Sequence, residues 1–461
     1  MAQKSLHLPT FEDLQRRRSE LLAQQSKHLP AEEERGEERE EEQEEQQPAP
    51  APLPSSQTPA WPALPTLSRA AYYGLAGLAV NTIAPHTEAD PAAVLLQFLA
   101  AFGNIVGPGP HCMVESTRHN LNLFVVLVGE SSKARKGTSW RQIARLFSEV
   151  DDLWVTQRVT SARLTPDGLI HTLRDQEPAT DRRLLVLSEE FVGVLHALGR
   201  QNGHLSPLLR SAWDSGNLRT LDRRHPLQAT GTHISLIGHI TQYELSRHLH
   251  PTDAHNGFAN RCLWTCARRS QLLPEGGSLA SEDLAGVARE LRRTLHWAAG
   301  ATAEPWRRDA AARDLWSKHY PSLSQARPGL YGAATTRAEA QVLRLSAIYA
   351  ALDCSPVIAT PHLEAALAVW DYCFLSAACV FGTATGNPTA DRIHRALNAS
   401  PDGLTREQIR KLFHGHVSSE RIDDALEQLS DLGTLTVSTS RGKGRPGTLW
   451  AAVEAENHAA Q

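Results

Sequence analysis

Leu123-Phe-Val-Val-Leu-Val-Gly129-Glu-Ser-Ser-Lys-Ala-Arg-Lys136-Gly-Thr138-Ser-Trp140 decides how this 461-residue chain is read. Six consecutive apolar residues, three of them valine, predict a strand buried on both faces. The polarity then changes abruptly at Gly129 to small and cationic residues, and an amphipathic pattern resumes behind Lys136. A buried strand that runs through such a loop into a helix offers converging backbone N–H groups and a helix N-terminus, which together favour an anion.

Counted from Gly129, the phosphate-loop pattern G-x4-G-K-[ST] asks for glycine at 134 and lysine at 135. The chain has Ala134 and Arg135 there. A loop one residue longer brings Lys136 into register, with Gly137 and Thr138 behind it. The candidate nucleotide-binding residues are therefore Gly129, Arg135, Lys136, Gly137, Thr138 and Ser139. Lys136 would reach the terminal phosphates of ATP, and the hydroxyl of Thr138 or Ser139 would hold Mg²⁺. The plain alternative is a basic strand–helix turn that binds no nucleotide.

Working outward, Arg182-Arg-Leu-Leu-Val-Leu-Ser188-Glu189-Glu190 ends a second apolar strand on two carboxylates. One acid is needed at the metal and another at the attacking water, and Glu189 and Glu190 are assigned these jobs in that order. His233–Ile240 predicts a third strand, with His239 or Thr241 at its exit placed to sense a γ-phosphate. Leu153–Val159 reads as a weaker fourth. Helical patterns between these runs predict an α/β fold with a parallel sheet. Arg261, ahead of the apolar Cys262–Cys266 segment, is the candidate arginine finger completing a neighbouring subunit's site, with Arg247, Arg268 and Arg269 as rivals.

The flanks read differently. Residues 1–31 predict a short helical segment, and residues 32–66 an acidic and proline-rich disordered linker holding ten Glu between Glu32 and Glu45. That run carries −8, so a formal net charge of −4 hides a remainder of +4. The linker is a plain tether or an acidic decoy competing with nucleic acid. Residues 67–120 predict a helical lead-in, 121–275 the nucleotide-binding core, 276–385 a helical domain and 386–461 a C-terminal unit of three helices and a β-hairpin. This last pattern resembles a winged helix. Arg441, Lys443 and Arg445 at its turn, together with Arg219, Arg223 and Arg224 in a mid-core loop, are candidate DNA-backbone contacts. Protein contacts and a solvated hairpin are the respective alternatives.

Composition excludes other classes. A 41% content of AVILMFWYC argues against disorder over the whole chain, and the apolar runs fall short of the roughly 20 residues of a bilayer span. Cys262 and Cys266, spaced C-x3-C without a second pair, make a poor zinc site. The N-terminus lacks the apolar core of a secretory signal, which predicts a cytoplasmic protein with no membrane association. No D/E-x-K cluster suggests a nuclease.

Tyr73-Gly-Leu-Ala-Gly, Gln97-Phe-Leu-Ala-Ala-Phe-Gly103-Asn, His119–Gly129 and Ala134-Arg-Lys-Gly-Thr138 together resemble a domain family of phages, plasmids and integrated elements, often fused to or encoded near DNA primases. Its core is similar to RecA-like helicase ATPases, and the likeness spans roughly residues 68–380. The resemblance implies an ATP-dependent, Mg²⁺-using, ring-forming motor that acts on DNA in the replication of mobile elements, with a primase or a replication or defence complex as partner. Many members carry a regular G-x4-G-K-[ST] loop, from which this chain departs. That departure leaves a second reading, a non-hydrolysing nucleotide- and DNA-binding adaptor with a degenerate loop. No primase-type catalytic cluster is present at the N-terminus.

Overall fold

The computed structural model describes residues 64–176, 181–199, 204–220, 226–300, 304–382, 385, 387–440 and 447–453. The N-terminal helical segment and nearly all of the acidic linker lie outside these residues.

A hairpin of β1 (His111–Val114) and β2 (Thr117–Asn120) leads into β3 (Phe124–Val128), whose five residues are all buried. After β4 (Val159–Thr160) and β5 (Arg183–Ser188), a short antiparallel pair, β6 (Leu218–Arg219) and β7 (Gln228–Ala229), precedes β8 (His233–Ile240) and β9 (Cys262–Cys266). Five of these strands form the central sheet, in the order β4-β5-β8-β3-β9, with every pairing parallel. The α/β expectation therefore holds, and the loop-bearing strand sits between β8 and β9.

Alternation along the strands divides the core into two layers. Val125 and Leu127 of β3 pack on one side, against helices Gly74–Ile83, Pro91–Ile105, Lys136–Arg158, Ser281–Ala299 and Ala338–Leu352. Phe124, Val126 and Val128 face the other side, against Val192–Leu198, Leu205–Asp214 and the end of Thr360–Phe381. The first layer draws residues from Ala71 to Cys373 into one apolar cluster, so the lead-in and the later helices are walls of the same body. Thr360–Phe381 is long and apolar enough to cross a membrane, yet two-thirds of its apolar window is buried within the protein.

Pro91–Ile105 fixes the helix layer on the sheet. Asp90 accepts from Ala92 N at 3.0 Å and Pro91 opens the first turn, an N-terminus legible in the sequence. At its other end Asn104 donates to Leu184 O and His233 O, both at 3.0 Å, tying the helix to β5 and β8. Gly103 admits this approach, because a Cβ there would lie 2.2 Å from Leu121 O.

The weak strand expected at Leu153–Val159 is instead helix as far as Arg158. Asp151 leaves helical dihedrals (φ −152°, ψ 89°), and its carboxylate accepts from Trp154 N at 2.9 Å, restarting the helix. Trp154 then donates to Asn104 Oδ1 at 3.1 Å, so core packing overrides the alternating pattern. The stretch expected to be wholly helical also contains one parallel pair, β10 (Arg307–Arg308) with β11 (Val357–Ile358).

The C-terminal residues have a core of their own, built by Ile393, Leu397, Ile409, Phe413, Ile422, Leu426 and Leu429. Helices Pro388–Asn398, Arg406–Lys411 and Ser419–Asp431 surround it. Strands β12 (Leu404–Thr405), β13 (Leu435–Ser440) and β14 (Gly447–Ala452) close it as an antiparallel sheet ordered β12-β14-β13. Arg441, Lys443 and Arg445, expected at the turn of the hairpin, lie outside the described residues.

Candidate nucleotide-binding site

The carboxyl ends of β3, β8 and β9 are laced together where the cationic loop begins. Gly129 N donates to Ile240 O at 3.1 Å, and Ala267 N donates to Val128 O at 2.8 Å. Only glycine fits at 129, since a Cβ would stand 2.3 Å from Ala267 O and 2.8 Å from Ala134 Cβ. Ser132 and Arg135 both take left-handed backbone angles, at φ 49° and 52°. Arg135 therefore supplies a conformation usually given to glycine, directly ahead of helix Lys136–Arg158.

Lys136 folds back over the loop, donating to Gly129 O at 2.8 Å and Glu130 O at 3.1 Å. Burial pushes its ammonium down to about 8, and the nearby Glu244 carboxylate partly offsets this. Arg135 Nε donates to Glu88 Oε2 at 2.7 Å, and Arg269 Nε lies 3.7 Å from the same oxygen. Glu88 also accepts from Leu273 N at 3.0 Å. That bond leads the two arginines in holding its carboxyl below the usual range.

The two hydroxyls offered for the metal separate cleanly. Ser139 is fully buried, donates to Lys136 O at 2.6 Å and accepts from Gln97 Nε2 at 2.5 Å, so it belongs to the core. Thr138 is half-buried, and among the described residues no hydrogen bond holds its hydroxyl. Glu189 approaches from β5: a Cβ on Gly137 would lie 3.3 Å from Glu189 Oε1. Phe191 sets this turn by donating its N–H to His239 O at 2.9 Å and packing its ring over Gly238, where a Cβ would lie 2.5 Å from the ring. Glu189 and Glu190 are both exposed at the exit of β5. An oxygen-seeking divalent cation suits Thr138 and Glu189.

His239 is placed elsewhere than expected. It is 3% exposed, its Nε2 donates to Gln97 Oε1 at 3.0 Å, and burial, then the Lys136 charge, pushes its imidazole down to about 3. A neutral histidine turned into the core replaces the expected γ-phosphate sensor. Its neighbour Thr241 caps the following helix with Glu244 in a reciprocal capping box. Glu244, held below the usual carboxylate range chiefly by Thr241, thus puts a third carboxylate near Lys136. The Thr241-Gln-Tyr-Glu244 pattern carries that signal in the sequence.

Arg261 also departs from its expected role. It precedes β9, at the end of the sheet opposite the loop, about 20 Å from Ala267 at 3.3 Å per residue. The side chain is 4% exposed and pairs with Asp214 at 2.6 Å, with a further bond to Gly257 O. An arginine finger must reach out to another subunit, and this one is consumed within its own chain. The rivals Arg268 and Arg269 instead follow β9 at the loop end. Arg219 is exposed on β6 at the far end of the sheet, and Arg223 and Arg224 lie outside the described residues.

The remaining wall of the site comes from residues 268–273, which wrap onto 84–90. Arg268 N donates to Asp90 Oδ2 at 3.1 Å, Ser270 N to Glu88 O at 3.0 Å and Gln271 Nε2 to Ala84 O at 2.9 Å. Between this wall and the loop opens a cleft of about 550 Å³. Compared with known proteins, the chain matches no family model and no curated sequence.

Proposed function

We propose that this protein is an ATPase with a RecA-like core that acts on DNA as a helicase-like motor. The observation that carries the reading is the meeting of three groups at the carboxyl end of one parallel sheet. The Lys136 loop opens a helix, Glu189 stands against Gly137 in that helix's first turn, and Glu190 follows on the same exposed turn. Backbone amides, the helix N-terminus and Lys136 bind the phosphates. Thr138 and Glu189 hold Mg²⁺, which supplies charge neutralisation there. Glu190 orients and polarises the attacking water.

A loop strand flanked on both sides, by β8 and β9, in an all-parallel sheet supports the RecA-like assignment, and three helices closed by an antiparallel hairpin support a winged helix. Taken with the resemblance of the sequence to primase-associated proteins, these features support DNA as the polymer partner and replication of mobile DNA as the setting. Ring assembly and a primase partner rest on that likeness alone.

One feature favours the second reading, a nucleotide- and DNA-binding adaptor. Lys136 is bound to its own loop carbonyls, and Arg135, already paired to Glu88, occupies the usual glycine position. ATP hydrolysis measured with and without single-stranded DNA decides between them. The motor reading expects DNA-stimulated turnover that falls at least ~100-fold in Lys136→Ala and in Glu190→Gln. Wild-type turnover at background with DNA affinity retained would overturn it in favour of the adaptor.

A further inference from the structure

The cleft beside the loop is lined by the start of the loop and the exit of β9, and among the described residues not by Gly137, Thr138 or Glu189, so its position orients a nucleotide. Glu189 reaches Gly137 from β5, two strands away from β3 across β8, which puts the metal and the terminal phosphate on that side. The cleft opens on the other side, at the exit of β9. Its walls include Leu64, Gly129, Ala134, Ala267, Arg268 and Arg269. Its volume of about 550 Å³ falls in the range of pockets that enclose a small organic ligand.

The cations around it are unequally committed. Arg135 and Arg269 share Glu88, and Lys136 is bound to loop carbonyls. Arg268 is exposed and makes no ion pair within 4 Å among the described residues; Asp90 takes its backbone N–H and feels its charge at longer range. A planar guanidinium lining one cleft with apolar Leu64 and Ala267 suits an aromatic ring better than a phosphate, whose charge is already met at the loop.

We infer that this cleft is the nucleoside pocket of the site, that Arg268 stacks on the base, and that the pocket accepts either purine. The proposal rests on the phosphate-loop reading above and adds the nucleotide's direction, with the base over β9 and the γ-phosphate towards β5. The lack of base discrimination follows from the wall: among the described residues it carries no amide or hydroxyl side chain, and its two further charged side chains, Lys133 and Glu130, are exposed and lie 4.0 Å from each other. Leu64 closes the apolar side of the stack.

Equilibrium binding of Mg²⁺ complexes of ATP, GTP and inorganic tripolyphosphate to the full chain, by calorimetry, tests this. Wild type is expected to bind ATP and GTP within about threefold of each other, and both at least ~10-fold tighter than tripolyphosphate. Arg268→Ala, a change at an exposed side chain, is expected to weaken ATP by about 5- to 20-fold and leave tripolyphosphate unchanged. Leu64→Ala shifts the same way, whereas Lys136→Ala loses both ligands. Equal weakening of ATP and tripolyphosphate in Arg268→Ala would make Arg268 a phosphate ligand and overturn the stacking role. Equal wild-type affinities for the two would overturn the pocket while sparing the loop. Binding of neither would overturn the loop reading and this proposal with it.

Discussion

At the scale of single residues, Lys136 links charge, burial and ligand. Its ammonium is pushed down to about 8 because burial in the loop removes it from water, and its carbonyl partners and the nearby Glu244 carboxylate offset this only in part. A base with a lowered folded-state value binds fewer protons folded than unfolded. Between about 8 and its ordinary 10.5, stability from this group therefore rises with pH. Phosphate reverses the preference by favouring the charged form, so binding draws in a proton where the free lysine is half neutral. ATP affinity is expected to fall as pH rises from 7 to 9. Calorimetry at pH 8 in buffers of different ionisation enthalpy should report uptake of about half a proton per nucleotide. Uptake of zero, with affinity flat across that range, would show that Lys136 does not meet the phosphates. The loop's place between strand and helix was legible because an apolar run gives way at Gly129 to small and cationic residues. Which hydroxyl faces the site was not, since Ser139 is drawn inward by Gln97, 42 residues earlier.

At the scale of elements, the two ends of the parallel sheet do different work, and sequence order alone does not say which end a residue occupies. Arg261 and Arg268 flank the same strand, yet one lies at its start among Asp214, Trp213 and Arg337, and the other at its exit beside the loop. The base of the sheet is a polar lock. Fully buried Arg344 donates to Asn122 O at 2.8 Å and to Trp213 O at 2.7 Å and stacks over the Trp213 ring at 3.5 Å. Arg261 extends that lock, and Asp214 is 39% exposed. Arg261→Ala is expected to cost about 3 kcal/mol in urea unfolding, because Asp214 and Gly257 O lose their donor. ATP turnover per folded molecule should stay within about twofold of wild type at all protein concentrations. A concentration-dependent collapse of turnover with unaltered stability would instead restore the finger. Strand β3 and helix Pro91–Ile105 were legible from unbroken apolar character and an Asp-Pro start. The helix through Leu153–Arg158 was not, because its alternating pattern yields to the Asp151 cap and to Asn104.

At the scale of the whole molecule, charge placement separates the body that carries the Lys136 loop from the C-terminal unit proposed to meet DNA. The C-terminal unit has its own apolar core, so its surface can change without disturbing the loop. Its third helix, Ser419–Asp431, carries Glu420, Asp423, Asp424, Glu427 and Asp431 against Arg421 alone, which opposes entry into a DNA groove. Three cations without an intervening acid, Arg441, Lys443 and Arg445, lie in the segment between β13 and β14. Backbone neutralisation by such a turn is independent of sequence and releases counterions, so it leaves its mark in salt dependence. Replacing all three by alanine is expected to weaken single-stranded DNA binding at low salt. The slope of log affinity against log salt should shrink by about 2, at roughly 0.7 for each phosphate no longer neutralised. The weakening should be the same on oligonucleotides of different sequence, and turnover without DNA should be unchanged. Fluorescence anisotropy across a salt series reads the slope directly. An unchanged slope would move DNA binding off this unit and leave the surface around Arg219 to carry it. Weakening on one sequence only would mean base reading, which the acidic third helix is poorly built to perform.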